Sequence, residues 1–200
     1  MKKFLILFVM YSPLFGFEYL DTNYLFKFGS SDSKTKIIEY IAFNCPNCIK
    51  DLSSSHQLQK LTSHYIESGE LEWIIHPDPS DLFTVQVLAA FESVPVSDKN
   101  KVFWKLINEL ATNFRREPIN ILEETVCKHY PTLGDIKSID YLKTTKVFEA
   151  ARQYLSQKGI PRSVPTIEIN GNVYKEYPTT RLIKRELKQA VISNKSEGGK

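Results

Sequence analysis

The sequence predicts an α/β fold interrupted by a helical insertion. Three observations carry that prediction. A strand–helix–strand pattern spans residues 36–75, helical periodicity runs from Leu82 to Gln157, and a hairpin and a last helix follow. Strand–helix–strand implies a right-handed parallel unit. The helical run is far longer than the dozen or so residues of a simple crossover, so it is expected to form a subdomain. The 200 residues suit one domain with such an insertion.

The elements follow in order. Residues 1–16 read as a secretory signal or N-terminal anchor: Lys2-Lys3, an apolar run from Phe4, and Gly16 as a small residue before a cut. Phe4 to Phe17 is short against the about 20 apolar residues of a membrane span. Residues 17–80 are assigned to the first part of the α/β domain, and residues 21–35 to a polar loop region. Lys36 to Phe43 is β-branched and aromatic, as a strand buried on both faces would be. Asn44 is a candidate helix cap and Pro46 suits a first helical position. Ile49, Leu52, His56 and Tyr65 follow a helical stripe that Ser68-Gly69 ends. Leu71 to Ile75 is the second strand, and His76-Pro77-Asp78-Pro79 is expected to break it before Ser80 or Asp81 caps a helix.

Residues 81–158 form the expected helical subdomain, each helix with one core-facing stripe. The stripes are Leu82, Val85, Leu88, Ala89; then Val102, Phe103, Leu106, Ile107, Leu110, Phe114; then Ile119, Leu122, Val126, Tyr130; then Leu142, Val147, Phe148, Ala151, Leu155. Residues 159–193 complete the α/β domain. Thr166 to Ile169 is a strand, Asn170-Gly171 is a hairpin turn signal, and Thr179 or Thr180 caps a helix carrying Leu182, Ile183 and Leu187. Residues 194–200 are a polar tail expected to be disordered.

Composition excludes several classes. Lys and Arg number 26 against 23 Asp and Glu, without a long single-sign block, which argues against nucleic acid as a partner. Removal of residues 1–16 would take Lys2 and Lys3 and lower the formal net charge from +3 to +1. Three cysteines are too few for a disulfide scaffold, and an odd number cannot all pair within one chain. Export would place the chain where disulfides persist.

Cys45-Pro46-Asn47-Cys48 is the segment that carries chemistry. Cys45 falls where a buried strand meets a helix start, among free backbone N–H groups and the positive end of the helix dipole. That setting lowers a thiol pKa from ~8.5 into a range of about 3.5–7.5, and the thiolate is the nucleophile of disulfide exchange. Cys48, one turn on, can resolve a mixed disulfide. Two other readings stand beside this one. A CxxC pair is half a zinc site, with His56 and His64 downstream, though no second CxxC exists. The cysteines can also be inert structural thiols. Cys127 adjoins a helical core stripe and reads as a semi-buried, unpaired thiol.

The segment Ile38 to Cys48 resembles the active-site segment of the thioredoxin superfamily, and most of all its DsbA-like branch. Gly159-Ile160-Pro161-Arg162-Ser163-Val164-Pro165 followed by the Asn170-Gly171 hairpin is similar to that family's second motif. The resemblance covers roughly Lys36 to Val191 and implies a thioredoxin-like fold with an inserted α-helical subdomain. It implies Cys45 as nucleophile, Cys48 as resolving cysteine and Pro165 as a cis-proline beside them. Val164 would pair through its backbone with an extended substrate, and Pro46 and Asn47 would border the same substrate site. Glu39, six residues before Cys45, stands where DsbA-like proteins carry a buried acid that relays protons. The alternative for Glu39 is a strand-end carboxylate reaching solvent. Strongly oxidising members have His at the position of Asn47, so a less acidic Cys45 and a less oxidising disulfide are expected here.

The expected function is therefore an exported thiol:disulfide oxidoreductase acting on client proteins with cysteine thiols or disulfides. No metal and no organic cofactor is required, but a membrane or soluble redox partner must reset the pair. Residues 17–35 are too short for a dimerisation domain, so a monomer is expected and isomerase is disfavoured, while reductase stays open. A non-catalytic chaperone using the groove beside Pro165 is the rival of a different class.

Overall fold

The computed structural model describes residues 24–33, 35–54, 64–156, 163–174, 181, 182 and 184–189. The expected signal, Gly159, Pro161, the Thr179–Thr180 cap and the polar tail lie outside these residues.

A five-stranded mixed sheet is the centre of the fold, in the order β1-β3-β2-β4-β5. The strands are β1 (Phe26–Gly29), β2 (Thr35–Ile41), β3 (Leu71–Pro77), β4 (Thr166–Ile169) and β5 (Asn172–Tyr174). β2 and β3 run parallel and are joined through α1 (Pro46–Ser54), while the other pairings are antiparallel. Between β3 and β4 stand α2 (Leu82–Phe91), α3 (Val96–Thr112), α4 (Pro118–Leu122), α5 (Ile139–Leu142) and α6 (Lys146–Ser156). A π-helical turn, Glu123–Cys127, continues α4 directly. The chain therefore forms a thioredoxin-like sheet with a helical insertion, as the sequence predicts.

Local chemistry explains the elements. β2 and β3 are buried almost throughout, as strands covered on both faces should be. Asn170 and Gly171 both take positive φ, 49° and 84°, the pairing that a two-residue hairpin turn demands. The Asn170 side chain also accepts the Lys36 N–H at 3.0 Å, which ties the hairpin to β2. Asp81 caps α2 by accepting the Thr84 N–H at 2.9 Å.

Several elements differ from the sequence expectation. β1 lies where a polar loop is expected. Its Phe26 and Phe28 are two residues apart, too short a run to show a period, yet Phe26 enters the core. Gly29 ends β1 at φ +95°, and a Cβ there would collide with the Leu71 carbonyl oxygen. β3 continues through His76 and Pro77 instead of stopping at Ile75. The Asp78 N–H donates to the Ile41 carbonyl at 2.7 Å, so the ring nitrogen of Pro77 points to the opposite side. There the β1 pairing has already ended at Phe26, and no donor is missed.

The stripes of the insertion also need correction. α2 is buried from Thr84 through Phe91 rather than on one stripe, because it packs against α4, α5 and α6 at the centre of the insertion, while its first residue Leu82 is exposed. In α3, Val102 to Leu110 follow the expected stripe, but Phe114 lies past the helix end and is 75% exposed. Ile121 joins Leu122 in the core at the end of α4, and Tyr154 takes the place expected of Leu155.

Candidate active site

Cys45 sits at the junction of sheet and helix. β2 ends at Ile41, a turn follows, and Pro46 opens α1 with the φ that a first helical residue needs. Cys45, not Asn44, occupies the capping position. The Cys48 N–H donates to the Cys45 Sγ at 3.2 Å, and the Ile49 N–H donates to the Cys45 carbonyl at 3.0 Å. Sulfur thus receives an N–H that the first helical turn leaves free. A thiolate at this atom is favoured by that bond and by the helix dipole.

Cys45 and Cys48 are joined as a disulfide, with Cα atoms 5.3 Å apart. Cys45 is partly exposed and Cys48 is fully buried. An incoming thiolate therefore reaches Cys45 first. Pro46 and Asn47 are exposed beside it.

The turn carrying Cys45 is anchored on both sides. The Cys45 N–H donates to the Ala42 carbonyl at 3.1 Å. The Phe43 N–H donates to the Thr84 hydroxyl at 2.9 Å, and Thr84 in turn donates to Asp81 at 2.6 Å. This links the helical insertion to the reactive turn, a contact that no sequence spacing announces. The Phe43 ring packs against Phe26 at 6.4 Å and Phe103 at 6.1 Å.

Glu39 is fully buried in the middle of β2, so the solvent-reaching alternative does not hold. Neither carboxylate oxygen completes a hydrogen bond, and the Trp73 indole N–H likewise lacks a partner. Burial pushes the Glu39 carboxyl up to about 8; the nearby Trp73 indole opposes this and Asp51 of α1 adds to it. A neutral carboxylic acid at pH 7 is the result.

Across the sheet, Tyr40 faces the other way. His76 lies between Tyr40, at 4.9 Å, and Tyr154, at 5.6 Å. Burial lowers His76 to about 4, against hydrogen bonding with the Pro77 carbonyl, so it is neutral at pH 7. It is a buried core histidine.

The Val164–Pro165 peptide bond is cis. The antiparallel register sets Thr166 opposite Tyr40, so Pro165 precedes β4 at the sheet end from which β2 leads to Cys45. Val164 and Pro165 are both half-buried. Cys127, in the π turn, is a free thiol of intermediate exposure, raised to about 11 by burial and by Glu123. Among the described residues no group of three or more His, Cys, Asp or Glu side chains could hold a metal ion. No described helix is long and apolar enough to cross a membrane.

The profile of the thioredoxin family matches residues 22–189, most of the chain. The chain belongs to the thioredoxin family. With its CxxC cysteines joined, it is a thiol:disulfide oxidoreductase. Solved structures agree on the fold. Oxidised BdbD from Bacillus subtilis superposes with a TM-score of 0.59 at 18% identity, covering 82% of this chain and 91% of its own. The catalytic domain of ScsC from Proteus mirabilis gives 0.55 at 19% identity, with 87% and 93% covered. DsbA from Chlamydia trachomatis gives 0.55 at 16% identity, with 82% and 89% covered. These likenesses show a shared thioredoxin-like fold over most of each chain. Comparison with curated proteins finds no match.

Proposed function

We propose that this thioredoxin-family protein is an exported, moderately oxidising enzyme that donates its Cys45–Cys48 disulfide to client proteins. The observation that carries the reading is the asymmetric pair: a part-exposed sulfur at a helix cap joined to a buried one.

The proposed reaction has two exchanges. A client thiolate attacks Cys45 Sγ, a client–Cys45 bond forms, and the Cys45–Cys48 bond breaks with its electron pair going to Cys48. Glu39, neutral at pH 7, acts as the proton source for the Cys48 thiolate that leaves. A second client thiolate then attacks the client sulfur of the mixed disulfide, and Cys45 leaves as a thiolate that the helix start stabilises. The client loses two electrons and the enzyme gains them. A redox partner must remove them before the next cycle. Val164 and Pro165 hold the client backbone as an added strand, and Pro46 and Asn47 border it. Export is supported by the N-terminal segment and by a neighbour described as a periplasmic thioredoxin-like protein from Salmonella enterica.

The test is stoichiometric. Oxidised protein mixed with a reduced peptide bearing two cysteines should yield one cyclic peptide disulfide per enzyme dithiol. Cys45→Ser should yield none. Peptide oxidation by Cys45→Ser at the wild-type rate would sink the reading.

A further inference from the structure

A groove of about 320 Å³ opens beside the reactive sulfur, between α1 and the far end of α3. Cys45, Pro46 and Ile49 form one wall, and Leu110, Phe114 and Ile121 form the other. Phe114 stands 75% exposed at the groove mouth, although an aromatic ring gains ~1.5–3 kcal/mol on full burial. Lys50 and Arg116 are the charged lining residues, both positive, and Arg116 already pairs with Glu124 at 2.6 Å. Among the described residues no carboxylate lines the groove, and the nearest charge acting with Lys50 is its neighbour Asp51, which is not a lining residue.

We propose that this groove reads the client sequence next to the reacting cysteine, taking a bulky apolar side chain with an acidic neighbour. The inference rests on the disulfide-exchange reading and names its substrate class. The argument is one of tethering. In the mixed disulfide the client is bonded to Cys45, and Cys45 is itself part of the groove wall. An extended chain advances about 3.3–3.6 Å per residue, so client residues on the side of the cysteine away from Val164 and Pro165 come within reach of the groove mouth. An apolar side chain there covers Ile49 and Phe114, and a carboxylate meets Lys50. This surface lies on the insertion side of Cys45, whereas Val164 and Pro165 approach from β4. The helical insertion therefore supplies selectivity as well as bulk.

The experiment uses full-length oxidised protein and two peptides, each with one cysteine pair. One peptide carries Leu and Asp within three residues of its first cysteine, and the other carries Ser and Asn there. The rate constants for peptide oxidation should favour the Leu–Asp peptide about tenfold in the wild type. Phe114→Ser should bring the ratio close to one, and Lys50→Glu should lower it as well. Leu133→Ser, fully exposed and outside the groove, is the control and should keep the wild-type ratio. Equal rates in the wild type, or a ratio that Phe114→Ser leaves intact, would overturn the inference. So would a dimer in sedimentation that Phe114→Ser abolishes, because a second copy would then be the occupant. Failure to oxidise either peptide would instead overturn the disulfide-exchange reading itself.

Discussion

The chain holds cysteine in two settings that make it two different reagents. At the start of α1, Cys45 receives a backbone N–H, faces the helix dipole and is partly exposed. In the π turn, Cys127 meets burial and the Glu123 carboxylate, and its thiol is pushed up to about 11. The first setting favours a thiolate and the second suppresses it. The difference teaches that the local start of a helix, not the presence of a thiol, sets redox chemistry in this fold. The odd cysteine is thus the one that burial and Glu123 hold protonated, apart from the joined pair.

The largest expected effect comes from removing the favoured sulfur. Cys45→Ser should abolish client oxidation, read as loss of cyclic peptide product. Glu39→Gln is next. It removes a proton source and should slow exchange at pH 7 by roughly a hundredfold, the lower end of general acid catalysis. The same variant has a stability signature. The Glu39 pKa is raised from 4.5 to about 8, so the folded state holds a proton that the unfolded state releases. Its stabilising contribution is full below about pH 4.5 and is lost as pH rises through about 8. Glu39→Gln should flatten that decline in urea titrations between these limits. His76 acts in the opposite sense. Its pKa falls from 6.5 to about 4, so stability drops as pH falls through that window. Urea titrations of Glu39→Gln should leave this acid limb in place.

The two cysteine settings were unequally legible in the sequence. The pair is announced by a buried strand, a CxxC and a proline at a first helical position, all local signals. The hairpin at Asn170-Gly171 and the boundaries of β2 and α1 are legible for the same reason. The setting of Cys127 is legible in outline, as a semi-buried unpaired thiol beside Leu122 and Val126, but the stripe's spacing does not show Ile121 and Thr125 in the core beside them. β1 is missed because an edge strand of four residues has no period to read. The groove wall at Phe114 is missed because spacing extends the α3 stripe one turn past the helix end. The Thr84 link to Phe43 joins residues 41 apart in sequence, which only the folded chain brings together.

Smaller effects sharpen the contrast. Asn47→His places a cation and donor beside Cys45, so it should lower that thiol's pKa and raise the disulfide potential by about 30 mV or more, tenfold in equilibrium constant. Titration of thiolate absorbance at 240 nm checks the first part; a wild-type Cys45 pKa near ~4 would contradict the role given to Asn47. Cys127→Ser should leave peptide oxidation unchanged and cost at most about 1 kcal/mol of stability. Thiol counting on oxidised protein should find one thiol, slow to alkylate at pH 7.

The most direct test is the reduction potential of the Cys45–Cys48 pair in glutathione redox buffers. A disulfide donor with a moderately stabilised thiolate should equilibrate between about −200 and −120 mV, well above the −270 mV of thioredoxin. A value at or below that of thioredoxin would make the pair an electron donor and contradict the account.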